Sequence, residues 1–129
     1  MPLQELIEQA TKKLQKLGFS PLDQHVDEDR VGGERHGGWD WTWVKLRDQM
    51  RSYVSLTGID AVDGTHRVQV WAGADNSVHF GRYLVREFPR YSDTDADKNA
   101  VVESLGEAAR RATVLSDATL TGTYIQPIQ

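Results

Sequence analysis

The chain has 129 residues, a net charge of −4 and no cysteine. This length is typical of one folded domain, so we predict a single domain over residues 1–129. The lack of cysteine excludes disulfides, thiolate zinc sites and cysteine nucleophiles. The negative charge disfavours a general binder of nucleic-acid phosphates. No signal-peptide pattern and no apolar run of about 20 residues is present, so we expect a cytoplasmic protein without a membrane segment.

Apolar residues at spacings of three and four predict an amphipathic helix at the N-terminus. They are Leu3, Leu6, Ile7, Ala10, Leu14 and Leu17. Gly18 suits the C-cap of this helix, and Pro21 prevents its simple continuation.

Short runs of β-branched and aromatic residues, separated by turn residues, predict a series of strands from about residue 24. The predicted strands cover residues 25–31, 39–46, 53–59, 67–72 and 78–88. Acidic residues at 27–29 favour an edge position for the first strand. Asp63-Gly64 predicts a hairpin between the third and fourth strands, and Pro89 ends the fifth.

A second helical pattern follows the candidate N-cap residues 92–95. Its apolar side contains Val101, Val102, Leu105, Ala108, Ala109 and Ala112, whereas Lys98, Arg110 and Arg111 are expected to face outward. The tail from about residue 117 is expected to be flexible or to add an edge strand. The order of elements predicts an α+β two-layer sandwich with a helix, an antiparallel meander of four to five strands and a second helix.

The alternation of side chains along the strands divides the sheet into two faces. The residues expected beneath the helices are Val54, Leu56, Val68, Val70, Phe80, Leu84 and Phe88. The other face is expected to carry Tyr53, Trp71, Tyr83 and Val85, with Trp39 and Trp41 adding to it. The apolar pattern changes phase near Trp43 and Val44, which predicts a bulge there or burial on both faces.

Three hypotheses explain an aromatic second face. The tail or a curled sheet covers it, since buried aromatic residues usually serve packing. Alternatively, it binds a second copy or another protein, since large apolar patches mark association sites. In the third, Trp and Tyr side chains beside Arg82 and Arg86 form a stacking platform for single-stranded nucleic acid.

A loop bracketed by glycine pairs, residues 32–38, is the best local candidate for function. Its glycines give the backbone wide freedom and leave Glu34, Arg35 and His36 as projecting polar side chains. The simpler interpretation is an ordinary hairpin tip. The glycine spacing does not match a dinucleotide or phosphate-binding loop, and the four histidines lie singly along the chain. We therefore expect no cofactor, no metal and no catalytic residue.

These patterns favour a non-enzymatic module that binds another protein and forms a homodimer. Its candidate binding residues are Glu34, Arg35, His36, Trp39, Trp41, Tyr53, Trp71 and Tyr83. The alternatives are a small-molecule-binding domain or enzyme with a pocket near Glu34, Arg35 and His36, and a binder of single-stranded nucleic acid. In architecture alone, such a domain resembles the dimeric chaperones, adaptors and immunity-type proteins of bacterial secretion and conflict systems.

Overall fold

The computed structural model describes residues 2–22, 25–26, 38–47, 50–60, 64–75 and 80–120. Within these residues the chain forms two helices and six strands: α1 (Pro2–Lys16), β1 (Ser20–Pro21), β2 (His25–Val26), β3 (Gly38–Arg47), β4 (Met50–Asp60), β5 (His66–Asp75), β6 (Phe80–Phe88) and α2 (Asp95–Leu120). The predicted α+β sandwich is confirmed: a helix, an antiparallel sheet and a second helix.

Helix α1 ends in a Schellman motif. The N–H of Phe19 donates to the carbonyl of Leu14 at 2.9 Å, and the N–H of Gly18 donates to the carbonyl of Gln15 at 3.1 Å. Gly18 has a φ of +92°, a conformation that side chains disfavour. The predicted C-cap is confirmed, and the turn places Phe19 in the core with 1% of its surface exposed.

The sheet is built around a meander of β3, β4, β5 and β6 in which each strand pairs with the next. The two-residue strands β1 and β2 both pair with the other side of β3. His25–Val26 therefore lies at the edge of the sheet, as predicted for the first strand. The rest of that predicted strand, 27–31, lies outside the described residues, as do the turn residues 61–63 and 76–79.

Both helices pack on the same face of the sheet. Helix α2 contacts β4, β5 and β6, while α1 contacts β3 and α2. Fully buried side chains from the helices and from this face form one core, which includes the predicted core residues Leu6, Leu14, Val68, Val70 and Leu105. Phe88 is half-buried against the same cluster.

Helix α2 begins with side-chain caps in the predicted 92–95 segment. The Thr94 hydroxyl accepts a hydrogen bond from the N–H of Asp97 at 3.1 Å, as an N-cap residue does. The Asp97 carboxylate in turn accepts from the backbone N–H and the hydroxyl of Ser92, at 2.8 and 2.9 Å. Helix α2 continues to Leu120, so residues 117–120 of the predicted tail are helical, while 121–129 lie outside the description.

A β-bulge in β6 overturns part of the predicted division into faces. Val70 pairs with Arg86 and Trp71 pairs with Leu84, so Val85 is an extra residue in β6. Because one extra residue inverts the alternation, Leu84 leaves the core and is 37% exposed. The same inversion packs Tyr83 and Val85 against the core beneath the helices. The predicted positions of Leu84, Tyr83 and Val85 were therefore wrong.

Strand β3 places its three tryptophans on the helix side. Trp39, Trp41 and Trp43 pair with Gly58, Leu56 and Val54, which are buried residues of that face. The sequence predicted either a bulge or burial on both faces near Trp43. The described ladder between β3 and β4 is continuous from Gly38 to Arg47 and has no bulge there; Trp43 is buried and Val44, on the other face, is half-buried. Trp43 is fully buried, and its Nε1 donates to the Thr11 hydroxyl of α1 at 3.1 Å.

Lys98 is buried and does not face outward as predicted. It is 7% exposed, because α1 packs beside α2 at this point. Its Nζ donates to Glu5 Oε1 of α1 at 3.2 Å and lies 3.9 Å from Asp95 Oδ1. The aliphatic stem of a lysine can pack between helices while its ammonium reaches a carboxylate at the rim. Arg110 and Arg111 are exposed, as expected.

Candidate binding surface

The candidate site is the sheet face opposite the two helices. Paired residues of neighbouring strands share a face, so the register of β3 to β6 identifies its members. We call this surface the open face because, among the described elements, both helices lie on the other side of the sheet. It contains Thr42, Val44, Tyr53, Ser55, Thr57, Gln69, Trp71 and Leu84.

Trp71 lies near the middle of the open face and is held by a line of hydrogen bonds across three strands. Its Nε1 donates to Thr57 Oγ1 at 3.2 Å, and the Thr57 hydroxyl donates to Gln69 Oε1 at 3.3 Å. Gln69 Nε2 donates to Glu87 Oε2 at 2.8 Å. Because the indole N–H is already engaged, the ring is fixed in orientation and presents its apolar surface.

Tyr53 lies diagonally from Trp71 and packs beside an ion pair. Tyr53 pairs with Gly73, two residues along β5 from Trp71. The Arg51 guanidinium lies 5.8 Å from the Tyr53 ring and forms two hydrogen bonds to the Asp75 carboxylate, at 3.0 and 2.8 Å. These hydrogen bonds, followed by the charge of Asp75, raise the pKa of Arg51. The bidentate contact fixes Arg51 at the rim of the open face.

Two exposed aliphatic side chains lie on the same face as the aromatic residues. Leu84 pairs with Trp71 and is 37% exposed, and Ile59 is 40% exposed at the far end of β4. On the other side of Trp71, Ser55 of β4 and Thr42 of β3 share a hydrogen bond of 3.1 Å between their hydroxyls. The open face is therefore mixed, with apolar side chains separated by short hydroxyl groups.

The described members of the predicted binding site lie on two different faces of the sheet. Tyr53 and Trp71 lie together on the open face. Trp39, Trp41 and Tyr83 lie beneath the helices, and Trp39 is only 8% exposed. The remaining candidates of the glycine-bracketed loop, Glu34, Arg35 and His36, lie outside the described residues.

A second polar cluster, which the sequence analysis missed, lies on the helix side where β5 begins. The His66 Nδ1 is hydrogen-bonded to the Asp60 carboxylate. The His66 ring stacks on Trp39 at a centroid distance of 5.9 Å and lies 6.1 Å from the Tyr91 ring. The sequence held a signal for this contact, because the hairpin predicted from Asp63-Gly64 places Asp60 and His66 on adjacent strands, and these two residues pair. The cluster joins β3, β5 and the segment before α2.

Tyr91 is, like Trp39, a buried member of this cluster. Its backbone N–H donates to the carbonyl of His66 at 2.9 Å, and the residue is 7% exposed. Burial, followed by the nearby Asp93 carboxylate, raises the pKa of the Tyr91 phenol above its ordinary value of 10.0. The phenol thus stays neutral well into the alkaline range.

Neither the metal-ligating side chains nor comparison with known proteins adds residues to the site. Across the described ranges, no group of three or more His, Cys, Asp or Glu side chains could hold a metal ion. In the same part of the chain, no helix is long and apolar enough to cross a membrane. Comparisons with protein-family models, with curated proteins and with solved structures found no match.

Proposed function

We propose that the chain is a small binding module whose open face docks another protein. The observation that carries this proposal is the position of Trp71. The ring stands on the face opposite both helices, its N–H is bonded to Thr57, and it pairs with the exposed Leu84. A rigid aromatic ring loses little conformational entropy when a partner covers it.

The kinds of residue on the open face support this proposal. Trp, Tyr and Arg are the side chains most enriched at the energetic centres of protein interfaces. Here Trp71, Tyr53 and Arg51 occupy adjacent strands, and Arg51 is already oriented by Asp75. Ser55 and Thr57 stand beside them; their hydroxyls are hydrogen-bonded within the sheet, and each oxygen can still accept a hydrogen bond from a partner group. Such a surface needs little rearrangement before binding.

The dimensions of the open face also suit a protein partner. Its four strands are between nine and eleven residues long. At a strand spacing of about 4.8 Å and a rise of about 3.4 Å per residue, the face measures about 19 by 30 Å. Its plan area is of the same order as the roughly 800 Å² that each partner buries in a standard interface.

The charges of the open face favour a protein over single-stranded nucleic acid. A nucleic-acid platform needs cations that follow the phosphate backbone. Arg51 is engaged by Asp75, and the polar line from Trp71 ends at the carboxylate of Glu87. Arg86, one of the two arginines expected beside the aromatic residues, lies over Phe88 on the helix side of β6.

Site-specific photo-crosslinking tests the proposal. A photoreactive phenylalanine analogue is placed at Leu84 on the open face or at Val114 on α2, which is 55% exposed. Both positions are accessible, so both variants should fold. We expect a discrete partner protein to be trapped from position 84 and not from position 114, and mass spectrometry identifies it. If that partner is a second copy of the chain, the module is a homodimer.

The crosslinked pair must then be reconstituted from purified proteins. Trapping from position 114 alone, or equal trapping from both positions, would contradict docking on the open face. A partner that crosslinks at position 84 but shows no measurable affinity in the reconstituted mixture would contradict it as well.

A further inference from the structure

A groove of about 210 Å³ lies between β6 and α2, on the side of the sheet opposite the open face. Its walls are formed by Val85, Arg86, Glu103, Ser104, Glu107 and Arg111. Sites for drug-sized ligands are typically about 300–1,000 Å³, so this groove suits a smaller molecule.

The β-bulge of β6 directs an arginine into this groove. Val85 is the extra residue of the bulge, and Arg86 pairs with the fully buried Val70. Bulges re-aim side chains, and here both Val85 and Arg86 turn toward α2. The Arg86 guanidinium rests 4.7 Å from the centre of the Phe88 ring. Within the described part of the chain, no carboxylate lies at ion-pair distance from it.

The wall of the groove that α2 forms carries two carboxylates, of which only Glu107 is paired with arginines among the described residues. Glu107 accepts hydrogen bonds from Arg110 and from Arg111, the latter at 2.9 Å, so its charge is compensated. Ser104 is also engaged, because its hydroxyl donates to the Ala100 carbonyl at 2.9 Å. Glu103, one turn before Glu107, has no cationic partner among the residues that the structure describes.

We propose that this groove binds a small aliphatic zwitterion of amino-acid size. Its carboxylate pairs with Arg86, whose guanidinium suits bidentate contact with a carboxylate. Its ammonium pairs with Glu103 on the facing wall, and its side chain packs on Val85. A ligand with one charge leaves one wall unpaired, so the arrangement selects for both charges together. The site is independent of the open face, from which the sheet separates it.

Titration of the ¹⁵N-labelled full chain, followed by amide chemical shifts, tests this site. The probes are L-valine, isovalerate and isobutylamine, of which the last two each lack one charged group of valine. We expect saturable shifts near residues 85–86 and 103–107 with valine. Each half-ligand should bind at least about tenfold more weakly, because it leaves one charged wall of the groove unpaired.

Substitution of the charged residue on each wall of the groove completes the test. Arg86→Gln and Glu103→Gln change exposed side chains and should each weaken valine binding at least about tenfold. Arg67→Gln, an exposed arginine of β5, is the control and should bind as the parent does. Isovalerate binding as tightly as valine, unchanged binding in both groove variants, or shifts that do not saturate would each overturn the proposal.

Discussion

Gly58 leaves the space that the Trp39 indole occupies. The Trp39 indole lies directly over Gly58, where a methyl group would overlap the ring. The same indole stacks on His66, so it connects β3, β4 and β5. A glycine inside a strand often marks such a close approach.

The Gly58→Ala variant should therefore be destabilised. The added methyl group must displace a buried indole, which we expect to lower the free energy of unfolding by at least about 2 kcal/mol. Urea denaturation followed by circular dichroism measures this change. Gly106→Ala is the matched control, since its Cβ would meet only the flexible Lys13 Cε at 3.0 Å. In α2 that change should stabilise by up to about 1 kcal/mol. Equal effects of the two substitutions would contradict this account of Gly58.

Tyr91 gives a prediction for alkaline pH. Because its pKa is raised in the folded state, the unfolded chain releases this proton first, near the ordinary value of 10.0. Its contribution to stability is therefore complete below about pH 10 and is lost as the pH rises further. In an absorbance titration we expect Tyr91 to give an ionisation step above the ordinary tyrosine value. Tyr91→Phe should remove this late step, and a late step that persists in the variant would assign it to another tyrosine.

At the scale of elements, the bulge in β6 decides which side chains meet the core. Leu84 and Val70 are aliphatic residues on paired strands, yet Val70 is fully buried while Leu84 is 37% exposed. The periodicity of the sequence could not reveal this difference, because β6 remains a plausible alternating strand with or without the extra residue. The insertion is specified by pairing with β5, which is a tertiary property.

Aspartate substitutions distinguish the two positions. Leu84→Asp should change the free energy of unfolding by about 1 kcal/mol, since the charge stays hydrated and only strand preference is lost. Val70→Asp should cost about 3–5 kcal/mol, because it leaves an unpaired charge in the core. Against a total stability of about 5–15 kcal/mol, that loss is readily measured by thermal or urea denaturation. If the Leu84→Asp protein were instead unfolded, Leu84 would have to lie in the core, and this result would contradict the bulge.

For the whole molecule, local patterns were enough to predict the architecture. The spacing of Leu6 and Leu14 located α1, Gly18 marked its end, and strand alternation placed Val54 and Val68 in the core. These features depend on residues that are close together in the chain, so they can be predicted from the sequence.

The candidate site was predicted only in part, because its assembly depends on contacts between distant elements. Tyr53 and Trp71 were correctly expected on one face. Trp39 and Trp41 were assigned to the wrong side, since alternation shows that they share a face but not which face the helices cover. The burial of Lys98 likewise follows from the packing of α1 on α2.

The central claim, that the open face docks a protein, is tested most directly by the affinity of the purified crosslinked partner. Isothermal titration calorimetry compares the parent chain with Trp71→Ala and with Val114→Ala, an exposed position on α2. Loss of an aromatic ring at the centre of an interface typically costs at least about 2 kcal/mol. We therefore predict at least about 30-fold weaker binding for Trp71→Ala and unchanged binding for Val114→Ala. Parent-like affinity in a folded Trp71→Ala protein would contradict the claim.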